Sequence, residues 1–312
     1  MSTALVLGAG GLVGQAYHLG VLSALHDSGF DGRDADVLVG TSAGSLVAAA
    51  LAGGLSAPDL AAELLGRPMS EQGRRTRAAG RGAALHLPEA PAPAPGRGPL
   101  APGALLAAAR RPFSTRPGAV LAGLLPAGRL STEGIARGVQ RLHPGGWPAR
   151  DLRVCAVRAR DARRVVFGGP GGGPAEVGRA VAASCAIPGW FTPVTLDGET
   201  YVDGGAHSPT NADVVLRDRP DLVVVVSPMS AARVGLRADT GLRLASAGLL
   251  TAEVLRLRTA GCRVVVVQPG TQDLSVMGTN AMRRDGLEQV LHRAARSTSE
   301  LLAQRPRLLQ VS

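Results

Sequence analysis

Gly40-Thr41-Ser42-Ala43-Gly44 places a serine between two glycines in a GxSxG pattern, after the short apolar stretch Asp36 to Val39 and at the start of an Ala/Leu-rich stretch, Ser42 to Gly53. A strand that turns sharply into a helix at a serine holds that residue with strained backbone angles. It also presents the hydroxyl outward, and Gly40 and Gly44 remove side chains that would clash. The chemistry implied is nucleophilic attack on a carbonyl carbon. A second constellation, Gly8-Ala9-Gly10-Gly11-Leu12-Val13-Gly14, follows the apolar segment Ala4 to Leu7. Small residues at the positive end of a helix leave backbone N–H groups bare, which suits an oxyanion or a phosphate. The third is Asp203-Gly204-Gly205, behind the short apolar pair Tyr201-Val202. Alone it reads as an ordinary Asp-Gly turn; beside an activated serine it becomes a candidate base.

A serine hydroxyl is a weak nucleophile unless a base lies within about 2.6 to 3.2 Å. Six histidines are available, His18, His26, His86, His143, His207 and His292. A Ser-Asp-His order calls for a histidine in a late loop, yet His292, the late one, falls inside a helical pattern. His207 follows Asp203 too closely for that role, and the others sit in helical pattern, in a proline-rich stretch or at a helix end. An aspartate acting directly on the serine is the economical alternative. A dinucleotide cofactor is disfavoured: GxGxxG counted from Gly8 would need glycine at Val13, and the second strand ends in Gly40-Thr41 rather than a ribose-binding acid. Asn211 reads as a helix cap, and Pro188 and Trp190 fit either an acyl pocket or core packing.

The elements that must position these residues alternate strand, turn, helix twice over, predicting a mainly parallel sheet with helices on both faces and ligands at the strand C-terminal ends. Strands are expected at Ala4 to Leu7, Asp36 to Val39, Arg153 to Val157, Arg164 to Phe167, near Val194 and Tyr201, at Leu222 to Val226 and at Arg263 to Val267. Helices are expected at about Gln15 to Ser28, Ser42 to Gly53, Thr132 to Leu142, Ala175 to Ala183, Thr240 to Thr259 and Gly286 to Gln304. Between about 66 and 128 the pattern weakens, with six prolines from Pro88 to Pro102. This stretch is expected to be a flexible insertion in a single domain spanning 1–312, either a lid or a plain surface loop.

Composition narrows the partners. With 312 residues, 45% of them apolar and 19% charged, the chain builds a sizeable core rather than a disordered or fibrous structure. Three widely spaced cysteines, Cys155, Cys185 and Cys262, without a CxxC or a Cys/His cluster, argue against a disulfide scaffold and structural zinc. No metal and no cofactor are expected. The net charge of +10 is carried by arginine alone in a chain rich in Ala, Gly and Pro, a joint bias that weakens it as a sign of a selected basic face. With 3% aromatic residues there is little from which to build a base-stacking platform, so nucleic acid is not an expected partner. The apolar start, Ala4 to Leu25, lacks a basic leader and is cut by Gly8, Gly10, Gly11 and Gly14, so it reads as strand and turn rather than a secretion signal. The expected location is cytoplasmic, with at most peripheral contact at a membrane.

Taken together, the loop after the first strand, Gly40-Thr41-Ser42-Ala43-Gly44, Ala183-Ser184-Cys185-Ala186-Ile187-Pro188 and Tyr201-Val202-Asp203-Gly204-Gly205 resemble the four ordered blocks of patatin-like phospholipases. The resemblance implies a three-layer α/β/α sandwich and a Ser-Asp dyad that hydrolyses fatty-acyl esters of lipids through an acyl-enzyme. Ser42 would be the nucleophile, Asp203 the base, and the amides of Gly10, Gly11 and Leu12 the oxyanion hole, with Gly8, Gly14, Gly40, Gly44, Gly204 and Gly205 shaping the motifs. Two positions depart from the family's usual loop: Ala9 stands for a glycine, and Val13 for a basic residue. The competing expectation is a catalytically idle protein that holds an acyl chain or a partner on the same fold.

Overall fold

The computed structural model describes residues 1–78, 85–89, 95–99, 116–169, 175–231 and 237–309. In chain order the elements are β1 (Thr3–Leu7), α1 (Gly11–Asp27), β2 (Val37–Thr41), α2 (Ala43–Ala52), α3 (Ala57–Leu64) and α4 (Glu71–Ala78). Next come β3 (Pro95–Pro99), α5 (Pro117–Leu124), β4 (Pro126–Gly128), α6 (Glu133–Leu142), β5 (Asp151–Arg158), β6 (Arg163–Gly168) and α7 (Val177–Ser184). The chain continues through β7 (Val194–Leu196), β8 (Glu199–Asp203), β9 (Leu222–Val226), α8 (Thr240–Thr259), β10 (Arg263–Val267), α9 (Thr271–Met277) and α10 (Leu287–Gln304).

One sheet runs in the order β10-β9-β1-β2-β5-β8-β7, with β6 added to β5. Its first five strands are mutually parallel, while β6, β7 and β8 run antiparallel to their neighbours. This is the expected mainly parallel sheet between helical layers. The unbroken valines of β9 lie wholly buried because helices cover both sheet faces, so no polar alternation is needed. Alternate side chains split into two cores: Leu5, Leu7, Leu38, Val224 and Val226 face the layer holding α1, α2 and α10. Ala4, Val6, Val39, Val223 and Val225 face Leu250, Val254 and Leu257 of α8.

Register along β5 decides what the sheet brings together. β2 pairs with β5 up to Thr41 opposite Cys155, and β8 pairs with the next residues in the opposite sense, ending at Asp203 opposite Ala156. Since β6 occupies the other side of β5 over Arg153 to Arg158, β2 and β8 share one edge and meet there end to end. The residue after Thr41 is Ser42.

Several boundaries differ from the sequence expectation. α1 starts at Gly11 rather than near Gln15, because the loop glycines themselves wind into the first helical turn. The helices α3 and α9 were not expected; α3 is capped by Ser56, whose hydroxyl accepts the Asp59 N–H at 3.2 Å. Within the stretch 66–128, residues 79–84, 90–94 and 100–115 lie outside the described residues, so its reading as a lid or a loop rests largely outside them too. The described parts contain α4 and α5, and Leu85 and Leu87 are buried in the main core. Gln15 of α1 clasps that segment, donating to Leu85 O at 2.7 Å and accepting from Leu87 N–H at 3.2 Å. No helix among the described residues is long and apolar enough to cross a membrane.

α1 and α10 cross at Gly20, where a Cβ would stand 2.2 Å from the Leu291 carbonyl oxygen. Contact that close is possible only without a side chain, and overpacking costs about 1–3 kcal/mol. Gly20→Ala is therefore expected to lower the thermal midpoint by roughly 2 °C or more; an unchanged melting curve would contradict the close crossing.

Candidate active site

Ser42 sits at the β2–α2 junction with φ 54° and ψ −124°, a left-handed conformation that a residue with a side chain rarely adopts. Such strain, of order 1–3 kcal/mol, persists only where the surroundings enforce it. The enforcement is visible. A Cβ on Gly40 would lie 2.3 Å from Ser45 Cα, and one on Gly44 would lie 2.0 Å from Leu7 O, so both flanking glycines are required by close approach. The Ser42 N–H donates to Ser184 Oγ at 2.8 Å, and Ser184 Oγ in turn donates to Cys155 O at 2.6 Å. Ser45 Oγ donates to Ser42 O at 2.7 Å. Ser184 thus ties the elbow to β5. It belongs to the Ala183–Pro188 block noted in the sequence, where nothing in its type or spacing distinguished it from a core residue.

Asp203 ends β8 and faces this serine. Its Oδ1 accepts the Gly205 N–H at 2.7 Å, and its own N–H donates to Ala186 O at 3.0 Å. The Ser42 hydroxyl acts on the carboxyl as a hydrogen-bond donor and favours its ionised form, yet Oδ2 is buried without a partner at full hydrogen-bond geometry. The two side chains therefore adjoin without a hydrogen bond of full geometry between them. Burial outweighs both hydrogen bonds and pushes the Asp203 pKa up to about 7. A carboxyl poised there can accept a proton near neutrality.

The loop from Gly8 to Gly14 supplies donors. The N–H groups of Gly8, Ala9, Val13 and Gly14 are spent on Val226 O, Pro209 O, Ala281 O and Gly10 O at 3.0, 2.7, 2.9 and 2.8 Å. Between them, the N–H groups of Gly10, Gly11 and Leu12 have no acceptor among the described residues. They occupy the first turn of α1, where the helix dipole adds partial positive charge. Gly8 O accepts from His18 Nε2 at 2.7 Å, and burial pushes the His18 pKa down to about 4, keeping the ring neutral. The loop also touches its neighbours: a Cβ on Gly205 would come 3.2 Å from Ala9 Cβ, and Gly44 packs on Leu7 and Gly8. Elbow, loop and the Asp203 turn form one contiguous group.

No described histidine hydrogen-bonds to Ser42 or Asp203; His143, the other deeply buried one, bonds to Ala49 O at 2.9 Å. Asn211 differs from its expected role. It precedes the short turn Ala212–Val215 in a left-handed conformation and makes no side-chain cap. Its Nδ2 donates instead to Ser208 O at 2.6 Å, Thr41 Oγ1 at 3.1 Å and Gly204 O at 3.4 Å. Val13 is buried, so the position that is basic in the family here belongs to the core. Trp190 is half-buried against the main core. The three cysteines are buried and unpaired, and burial pushes the Cys155 thiol up to about 12, leaving it protonated and inert. Ser42 is 1% exposed and Asp203 5%.

Removing the Ser184 hydroxyl leaves the buried Ser42 N–H without a partner, at about 1–3 kcal/mol. Ser184→Ala is accordingly expected to lower the thermal midpoint by a few degrees. Melting indistinguishable from wild type would show that the elbow does not depend on this bond.

The family profile described as Patatin-like phospholipase matches residues 5–216, from β1 through the Asp203 turn. No curated protein matches the chain significantly in sequence. Among solved structures, VipD from Legionella pneumophila is 12% identical with a TM-score of 0.48, covering 97% of this chain and 67% of its own. The type III effector protein ExoU is 16% identical with a TM-score of 0.42, covering 99% of this chain and 54% of its own, so the chain spans about half of that protein. With the profile covering more than half of its length, this chain belongs to the patatin-like phospholipase family.

Proposed function

We propose that the chain is a serine hydrolase that cleaves fatty-acyl ester bonds of lipids, in the manner of a phospholipase A or lipid acyl hydrolase, through a Ser42–Asp203 dyad. One observation supports this reading above the rest: a strained serine and a buried, incompletely bonded carboxyl adjoin a loop with three consecutive N–H groups that have no protein acceptor among the described residues. Backbone strain of this kind clusters at functional sites, where it pre-organises a group for its task.

In the proposed cycle Asp203 accepts the Ser42 proton as Oγ forms a bond to the ester carbonyl carbon. The carbonyl electron pair moves onto oxygen, and the amides of Gly10, Gly11 and Leu12 hold the resulting oxyanion. Collapse breaks the bond to the alcohol, which leaves with the proton from Asp203. Water then gives its proton to Asp203, attacks the acyl-Ser42 ester and releases the fatty acid, returning the proton to Ser42. A lipid surface is the natural source of such esters, so peripheral membrane contact belongs to the same proposal.

A fluorophosphonate probe is expected to label the wild type and not Ser42→Ala, and Asp203→Asn is expected to lower kcat about 10²- to 10⁴-fold. Wild type that takes no label, or a Ser42→Ala variant labelled equally, would leave the idle acyl-binding protein in its place.

Two consequences of the raised Asp203 pKa carry opposite signs. The base must be ionised, so kcat/KM should rise with pH and level off above about 7. Stability should move the other way. Between the ordinary value of 3.8 and about 7, folded Asp203 retains a proton that the unfolded chain has released, so rising pH weakens the fold across that window. Asp203→Asn escapes this loss. Its thermal midpoint is expected to gain on wild type from pH 4 to pH 8, by about 2 °C or more; a gap that stays constant with pH would refute the buried-carboxyl account.

A further inference from the structure

The turn Ser208 to Ala212 touches all three parts of the candidate site. Pro209 O accepts the Ala9 N–H at 2.7 Å, anchoring the donor loop. Asn211 Nδ2 reaches Thr41 Oγ1, beside Ser42, and Gly204 O, beside Asp203. The turn is short, and its centre, Asn211, takes a left-handed conformation with φ 51°, one that asparagine adopts more readily than most residues. Its reach to both partners depends on what fastens the turn.

The holder comes from α8, beyond the residues that match the family profile. Glu253 is 0% exposed, and its Oε2 accepts from Thr210 Oγ1 at 2.6 Å and from the Ala212 N–H at 2.9 Å, bracketing Asn211 on both sides. From the other direction Arg164 donates to Asn211 Oδ1 at 3.2 Å while paired with Asp213. Glu253 Oε1 is buried without a partner at full hydrogen-bond geometry, and the Ser208 hydroxyl, at the start of the same turn, acts on the carboxyl as a further donor. A carboxyl group is an expensive choice for such a place, since burying an incompletely bonded acid is costly. Its return is the grip on the turn.

We propose that Glu253 is a positioning residue for the Ser42–Asp203 pair, acting through Thr210, Ala212 and Asn211 to hold donor loop, nucleophile strand and base turn in mutual register. This inference rests on the hydrolase reading above. It does not make Glu253 a catalytic residue, because no atom of it meets the reacting groups.

The test uses the full chain with p-nitrophenyl butyrate turnover, fluorophosphonate labelling rate and thermal unfolding measured side by side. Displacing reacting groups by about 1 Å can lower rates about 10²-fold. Glu253→Ala is expected to lower kcat and the labelling rate by about that factor, with KM within about twofold and the protein still folded. Glu253→Gln, whose amide oxygen can accept both bonds, is expected to recover most of the rate. Should Glu253→Ala fail to fold, Thr210→Val, which removes one of the two bonds, decides: a clear fall in kcat at a near-native melting point supports the proposal, and wild-type kcat overturns it. A folded Glu253→Ala with wild-type kcat overturns it too, as does a Gln variant no better than Ala. Wild type that neither turns over ester nor takes the probe would instead sink the hydrolase reading itself.

Discussion

The site depends on two strand ends meeting head to head along one edge of β5. β2 runs parallel to β5 and stops at Thr41 opposite Cys155; β8 runs antiparallel and stops at Asp203 opposite Ala156. Backbone pairing leaves no freedom in that spacing, since strand positions along a ladder are set by residue count. A slip of one residue in either strand would move a key side chain to the other sheet face. Ser184, donating to Cys155 O while accepting from Ser42 N–H, pins the elbow to the same ruler.

Around this junction the protein tolerates several locally unfavourable features. Ser42 occupies a left-handed conformation, Asp203 is a buried acid with one oxygen incompletely bonded, and the first turn of α1 leaves three N–H groups without an acceptor among the described residues. Each would be relieved by a different residue or another turn. Their concentration at one point is the pattern that supports the proposed hydrolytic site. The surrounding sheet offsets the cost, because β9, β1 and β2 are buried on both faces and pair in an uninterrupted parallel register.

A second layer, further from the reacting groups, is made of unremarkable polar residues. His18 braces Gly8, Asn211 joins Thr41 to Gly204, and Glu253 fastens the turn that carries Asn211. All three are deeply buried, and all bond backbone or neighbouring side chains rather than the serine or the aspartate. The expected cap at Asn211 gave way because Oδ1, the atom a cap would use, accepts from Arg164 at 3.2 Å instead, while Nδ2 is spent on Ser208 O, Thr41 Oγ1 and Gly204 O.

The sequence by itself determined what local patterning can carry. The GxSxG elbow, the glycine loop at the head of the first helix and the Asp-Gly-Gly turn each follow from residue types a few positions apart, and apolar runs located the strands of the sheet. Helix starts were less legible, as at α1, because glycines that can join a helical turn look like loop. Only the tertiary structure decided that Ser42 and Asp203 share one edge of β5, and that Ser184, Asn211 and Glu253 serve as braces. Those facts depend on strand order and register, which arise from packing among segments far apart in the chain, and no short-range periodicity encodes them.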